Sequence, residues 1–205
     1  TTDRLSPEQA WAVRRAVYGT LLDRVGRALA DAGIDYLPIK GAYLIQTGIA
    51  DKLPRRRMQD IDILVRPRDF GRGAEVIEAM EGAVPFPSHW EFEKEFEFRS
   101  GGFRCHVELH RALNYGERFA VPTEELFCRA SADGLHRFRL EPGDGALVLI
   151  CSMLVHIVRQ FDNRNFPELE RMACLTSFSW DSVRERARRA GILAFTELVV
   201  GYYAA

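Results

Sequence analysis

Three acidic residues have a spacing that places them on one face of a predicted sheet. Asp60 and Asp62 lie in the alternating segment 58–65, and Glu108 lies in the alternating segment 105–110. Strand side chains point to opposite faces at each step, so the carboxylates share one face and the apolar residues between them share the other. The repulsion between clustered carboxylates is relieved by a raised pKa, a basic partner or bound divalent cations. We predict a magnesium site at these three residues.

The segments around these acids predict an α/β (α+β) fold, with a short mixed β-sheet flanked by helices. The first helix should begin at the Ser6-Pro-Glu-Gln cap and end at Gly33. The later elements are expected in this order: an edge strand over 36–40, a helix over about 42–49, the strand with Asp60, a helix over 69–81, and a hairpin over 91–110 whose second arm carries Glu108.

The second half of the chain changes to a helical pattern. A short strand over 135–140 is expected before Pro142, followed by helices with a turn near 163–167 and a cap at Trp180-Asp181. We therefore predict two domains, an α/β core with the N-terminal helix over 1–140 and a C-terminal helical bundle over 141–205. The apolar end of the bundle is expected either to pack against a C-terminal piece that is missing from this sequence or to dock on a partner protein or a second copy of the chain.

Composition excludes several classes of protein. The chain has 205 residues, of which 47% are hydrophobic and 28% are charged, which suits one good core, or one core and a small satellite domain. It contains no apolar run of about 18 residues and no signal-peptide layout at its N-terminus, so we expect a cytoplasmic protein without a membrane span. The net charge of -1 gives no global attraction to nucleic acid, so phosphate binding needs a local patch such as Arg55 to Arg57.

Several motifs together resemble a known family. They are Leu37-Pro-Ile-Lys-Gly-Ala-Tyr-Leu44, Arg56-Arg-Met-Gln-Asp-Ile-Asp-Ile-Leu-Val65, His106-Val-Glu-Leu-His110, and a helical tail with His156 and Trp180-Asp181. This set is similar to the uncharacterised nucleotidyltransferase family of the DNA polymerase beta superfamily, over most of the chain. The resemblance implies that Gly41 opens a helix after the first strand, that Asp60 and Asp62 are the paired aspartates, and that Glu108 is the third carboxylate.

The resemblance also implies a reaction. The enzyme would move a nucleoside monophosphate from a triphosphate such as ATP to a hydroxyl acceptor and release pyrophosphate. Two Mg²⁺ ions, or Mn²⁺ in their place, would stabilise the attacking and leaving oxygens. Asp60 and Asp62 would bridge both ions, whereas Glu108 would hold only the ion at the acceptor hydroxyl or take the proton of that hydroxyl.

The nucleotide-binding residues implied by the same resemblance are Lys40, Gly41, Ala42 and Arg56. Gly41 lets the backbone approach the triphosphate and leaves helix N-terminal amides free for its oxygens. Ala42 stands where the wider superfamily has serine or glycine, so these amides must act without a hydroxyl group. Lys40 or Arg56 would neutralise the β- and γ-phosphates, although Lys40 could equally form an ion pair with the carboxylates.

Three further residues are expected near the substrate or behind the ligands. His110 would orient Glu108 or touch the substrate, Arg57 lies beside the aspartate pair, and His156 would line the cleft. The alternation of His106, Glu108 and His110 also permits a separate transition-metal site, which is the less favoured interpretation.

Two other functions remain open at this stage. One is a catalytically silent relative that binds nucleotide or a partner, as in a toxin and antitoxin pair. The other is a two-metal phosphohydrolase, because such sites serve several reactions. The sequence does not distinguish a protein hydroxyl, an RNA end or a small-molecule alcohol as the acceptor, nor does it select the base of the nucleotide.

Overall fold

The computed structural model of the chain describes residues 6–53, 58, 60–88, 90–100, 103–114, 120–157 and 166–204. Its main sheet has five strands in the spatial order β1-β2-β5-β4-β3. These strands are β1 (Tyr36–Pro38), β2 (Asp60–Val65), β3 (Ala83–Phe86), β4 (Glu93–Ser100) and β5 (Phe103–His110). β2 and β5 are parallel and the other neighbours are antiparallel. The mixed sheet with flanking helices confirms the predicted fold class.

The helices and minor strands complete the architecture. The helices are α1 (Pro7–Asp31), α2 (Lys40–Gln46), α3 (Phe70–Glu78), α4 (Thr123–Arg129), α5 (Pro142–Ile157), α6 (Phe166–Ala173), α7 (Trp180–Arg189) and α8 (Leu193–Ala204). Short 3₁₀ turns occupy Ile49–Lys52 and Pro67–Asp69. Two small ribbons pair β6 (Leu113–Asn114) with β7 (Ala120–Val121) and β8 (Ser131–Ala132) with β9 (Phe138–Arg139). No helix in the described part of the chain has the length and apolar character needed to cross a bilayer.

The first helix follows its sequence signals closely. The Ser6 hydroxyl accepts a hydrogen bond from the Gln9 backbone amide, and the Gln9 side chain accepts one from the Ser6 amide. This capping box satisfies two backbone donors that have no partner inside the helix. Gly33 follows the helix with a positive φ of 68°, which a glycine adopts without strain. The predicted helix is therefore confirmed at both ends.

Other expectations need correction. α2 begins at Lys40, earlier than expected, and ends at Gln46, and Lys40 has a positive φ of 46°. The predicted cap at Trp180-Asp181 is wrong, because Ser179 is the N-cap and accepts a hydrogen bond from the Ser182 amide. Serine has a compact hydroxyl suited to that position. β3 and α4 are not among the elements predicted from the sequence.

The apolar face of the sheet forms the base of the core. Ile61 and Ile63 of β2 and Val107 and Leu109 of β5 are completely buried. Gly73 of α3 approaches so closely that a Cβ there would lie 3.3 Å from Leu109 Cδ2 and 3.6 Å from a methyl carbon of Leu29 in α1. α1 and α3 thus pack on this face, and the opposite face carries the polar side chains of β2 and β5.

A buried charge cluster joins α4 to the C-terminal helices. Asp144 of α5 is fully buried and accepts two hydrogen bonds from Arg129 of α4, at 2.9 and 3.0 Å. Arg186 of α7 lies 3.2 Å from the same carboxylate. Because a buried carboxylate needs charged or hydrogen-bonded partners, these contacts fix the position of α5. The boundary near residue 140 stays a prediction, since the two parts are in close contact here.

We expect Gly145→Ala to destabilise the protein by displacing α2, the helix that carries Lys40. A Cβ at Gly145 would lie 2.7 Å from Tyr43 Cε1 and 2.9 Å from Met172 Cε, which is overlap. Overpacking of this kind costs about 1–3 kcal/mol. Urea unfolding followed by circular dichroism would measure the free energy of unfolding. Gly71→Ala in α3 is the control, since nothing lies within 4 Å of its new methyl group. Equal stability of both variants would contradict this packing.

Candidate active site

The parallel register of β2 and β5 brings the predicted acids together. Asp62 is paired with Glu108, and Asp60 is paired with His106. Residues paired across neighbouring strands project from the same face, and strands lie about 4.8 Å apart. Asp62 is 1% exposed, whereas the side chain of Glu108 is 21% exposed. One carboxylate is therefore fixed in the protein and the other can reach a bound molecule.

Lys40 forms an ion pair with the buried aspartate. Its Nζ atom donates to Asp62 Oδ1 at 2.6 Å and lies 4.0 Å from Glu108 Oε2. The backbone holds this arrangement, because the Ile39 amide donates to the Asp62 carbonyl at 3.0 Å and so anchors the start of α2 beside β2. Of the two roles considered for Lys40, the structure shows the ion pair with the carboxylates.

His110 touches the same two acids from the end of β5. Its Nε2 atom lies 3.1 Å from Asp62 Oδ1 and 3.4 Å from Glu108 Oε2. Its Nδ1 atom is buried, has no hydrogen-bond partner within the described residues, and lies 3.8 Å from Glu93 Oε2. His110 therefore sits between the acid pair and a third carboxylate on β4, where it can orient Glu108.

These contacts define a group that could hold a cation. Asp62, Glu108 and His110 each offer one ligand atom, and these atoms lie within 4.8 Å of one another. Asp60 lies outside that group, although it is two residues from Asp62 and on the same face of β2. His106 also lies outside it and contacts Glu95 at 2.5 Å, so the described contacts do not favour the separate site at His106, Glu108 and His110.

The polar face extends onto β4. The register pairs Glu95 with Glu108 and Glu93 with His110, so both glutamates face the site. Neither residue is among those predicted from the sequence. The alternation of charged and phenylalanine residues in β4 indicates that this strand has a polar face, but the position of that face beside Glu108 depends on the hairpin register.

Charge neutralisation sets the protonation of the group. Burial would raise the pKa of Asp62, but Lys40 and the hydrogen bond from His110 lower it well below its ordinary value. Burial opposes the charged form of His110, yet hydrogen bonds to Asp62 and Glu108 raise its pKa above 6.5. Burial and the nearby Glu108 charge raise the pKa of Glu93. Without a metal ion, the site is therefore a network in which the ionised Asp62 carboxylate is paired with the side-chain cations of Lys40 and His110.

A cavity opens beside the acids at the other end of the strands. Its volume is about 560 Å³, and Asp60 and Glu108 both line it. The rest of the wall includes cationic and aromatic side chains, among them Arg14, Tyr18, Phe103 and Arg104. A cavity of this size can hold a small molecule against the acid pair.

The other predicted residues have mixed placements. Gly41 and Ala42 lie in the first turn of α2 and are buried. Arg56 and Arg57 lie outside the described residues, as does Arg55. His156 belongs to α5, but its side chain is outside the described part, so its role in the cleft stays a prediction.

The chain is similar to one known protein family in sequence and to solved structures in fold. A family model described as uncharacterised nucleotidyltransferase matches residues 5–205. The solution structure of the antibiotic-resistance factor ANT(2'')-Ia is 13% identical, with a TM-score of 0.59 over 92% of this chain and 96% of that chain. The crystal structure of ANT(2'')-Ia in complex with adenylyl-2''-tobramycin is 12% identical, with a TM-score of 0.54 over 91% and 99%. At these identities the two likenesses show the fold alone. No curated protein is significantly similar in sequence.

We expect His110 to titrate above pH 6.5 in the metal-free protein, because Asp62 and Glu108 bind its charged form. A raised pKa means that protonated His110 stabilises the fold fully below about pH 6.5 and that this contribution is lost as pH rises through the folded pKa. NMR of the imidazole protons in the presence of EDTA would measure the midpoint. Asp62→Asn should lower that midpoint. A midpoint at or below 6.5 in the unaltered protein would contradict the assigned contacts.

Proposed function

The chain belongs to the uncharacterised nucleotidyltransferase family, which makes it a nucleotidyl-transferring enzyme, and we propose that it transfers a nucleoside monophosphate from a triphosphate to a hydroxyl acceptor with the aid of Mg²⁺. The observation that carries this proposal is the meeting of Asp62 and Glu108 across parallel strands, with Lys40 as their cation. A mere binding module has no need to assemble repelling acids on one face.

The donor groups suit the proposed metal. Carboxylate oxygens are the ligands that Mg²⁺ prefers, and Asp62 and Glu108 lie close enough to share an ion. Asp60 would join them from the same face of β2, and Mn²⁺ would suit the same oxygens. When bound, a pair of such ions stabilises the attacking and leaving oxygens of the transfer.

The protein side chains have separate tasks in this scheme. Asp62 is rigid because it is buried and held by Lys40 and His110. Glu108 is partly exposed and faces the cavity, so it would accept the proton of the acceptor hydroxyl or fix that hydroxyl in place. His110, which lies 3.4 Å from Glu108, would orient the carboxylate.

The nucleotide would bind on the α2 side of the acids. Lys40 is already beside the cluster, and Gly41 and Ala42 follow it in the same turn. We assign these residues and Arg56 to the phosphates on the basis of the family resemblance. Because an ammonium group is a compact charge on a flexible stem, Lys40 could exchange its carboxylate partner for a phosphate.

The acceptor would enter the cavity that Asp60 and Glu108 line. Its volume of about 560 Å³ lies in the range of small-molecule sites and supports an alcohol of that size over an RNA end or a protein hydroxyl. The similar fold of ANT(2'')-Ia, whose crystal structure is a complex with adenylyl-2''-tobramycin, also supports a small-molecule acceptor.

Incubation with each labelled nucleoside triphosphate, Mg²⁺ and a panel of small alcohols should release pyrophosphate and yield an acceptor heavier by one nucleotide. Mass spectrometry of the acceptor measures the transfer directly. Release of phosphate would instead indicate a phosphohydrolase, and tight binding without any product would indicate a silent module. Chelation of the metal should stop the reaction.

We expect Asp60→Asn and Asp62→Asn to lower metal-dependent turnover by at least about a hundredfold. A metal contributes several kcal/mol to the transition state, and each 1.36 kcal/mol is about tenfold in rate. Circular dichroism should show an intact fold, and the fully solvent-facing Asp181→Asn is the control, with a side chain 93% exposed. Retained activity in either variant would remove that aspartate from the mechanism.

Glu108→Gln should impair catalysis more than triphosphate binding. Loss of a general base typically costs about 10²- to 10⁴-fold in rate. The measurements are kcat under saturating substrates and the Kd of a non-hydrolysable triphosphate, with Glu185→Gln on the surface of α7 as the matched control. An equal loss in both quantities would contradict a role at the acceptor hydroxyl.

A further inference from the structure

The ammonium group of Lys40 lies where a metal ion would contact the acids. Its Nζ atom is 2.6 Å from Asp62 Oδ1 and 4.0 Å from Glu108 Oε2, and these two carboxylates also belong to the group that could hold a cation. His110 reaches the same Asp62 oxygen at 3.1 Å. An additional cation at this oxygen would meet two donors already in place, so one of them must move.

A lysine side chain at position 40 suits a cation that occupies the position of a metal ion and can later leave it. The chain has 28 lysine and arginine residues, and only Lys40, Lys52 and Lys94 are lysines. An ammonium group is a compact charge with rotatable donors, whereas a guanidinium group is a rigid planar fork. The lysine can therefore fill the space of an ion and leave it by rotating its stem.

The backbone at Lys40 is also unusual. Its φ of 46° is one of two positive values at non-glycine residues in the described chain. Non-glycine residues adopt this conformation where the surrounding structure enforces it, and such positions cluster at functional sites. In this conformation Lys40 contacts Asp62, and the neighbouring Ile39 amide donates to the Asp62 carbonyl.

We propose that Lys40 is an internal counter-ion that keeps Mg²⁺ from the Asp62 carboxylate until the phosphates of a nucleotide draw the ammonium group away. The inference rests on the proposed function, because it takes a nucleoside triphosphate as the competing anion. Asp62 is almost completely buried, so it has little room for a metal ion beside the ammonium group. Nucleotide and metal therefore bind cooperatively, and by linkage each raises the affinity of the other by the same factor.

The test measures metal affinity without nucleotide and without turnover. Mn²⁺ binding would be followed by electron paramagnetic resonance for the unaltered protein, Lys40→Met, Lys40→Arg and the exposed control Lys52→Met. We expect Lys40→Met to bind Mn²⁺ at least about tenfold more tightly than the unaltered protein, within the usual range of coupling factors. Lys40→Arg keeps the charge and should stay weak, and Lys52→Met should match the unaltered protein.

A thermal readout checks the same idea independently. Without Lys40, the buried Asp62 charge keeps only His110 as its partner, so Lys40→Met should have a lower Tm in EDTA. Added Mg²⁺ should then raise the Tm of Lys40→Met more than that of the unaltered protein. If Lys40→Met does not fold, Lys40→Gln would be measured in the same way, and tight Mn²⁺ binding by the unaltered protein alone would still decide against the proposal.

The outcomes separate this inference from the function on which it rests. Equal Mn²⁺ affinity in Lys40→Met and the unaltered protein, or tight binding by the unaltered protein without nucleotide, would overturn the role of Lys40. Pyrophosphate release in that case would leave nucleotidyl transfer intact. The expected metal affinities without any transfer product would instead overturn the proposed reaction.

Discussion

The candidate active site depends on keeping one buried carboxylate ionised. Asp62 is almost completely enclosed, and burial alone would favour its neutral form. Lys40 and His110 reverse that preference, because they lower the pKa of Asp62 and so keep the carboxylate charged. A neutral acid would have little affinity for a divalent ion. The start of α2 and the end of β5 are therefore both tied to the electrostatics of a single side chain.

The scaffold achieves this with two kinds of constraint. Main-chain pairing of β2 with β5 sets Asp62 opposite Glu108, and the Ile39 amide fixes α2 against β2. The apolar face beneath packs against α1 and α3, whereas the opposite face carries the acids of β2 and β5. Farther away, Asp144 and its arginine partners secure α5, whose Gly145 allows Tyr43 of α2 to pack closely. Distant packing thus supports the position of Lys40.

Local patterns reveal part of this arrangement in the sequence. The period of two in β2 and β5 places the acids on one face, and the capping residues mark α1, because both signals need only neighbouring residues. The pairing of Lys40 with Asp62 is different, since it depends on how distant segments dock. Glu93 shows the same limit: its alternation is visible, but its place behind His110 follows from strand register.

The counter-ion at Asp62 also affects how the protein matures. Many small metalloproteins cannot fold until their ion arrives, because binding supplies the folding free energy. Here lysine and histidine satisfy the central carboxylate, and the residues concerned come from segments widely separated in the chain. We therefore expect the polypeptide to fold without a bound metal ion. Folding would then not depend on metal supply, and the proposed Mg²⁺ would bind to a protein that is already folded.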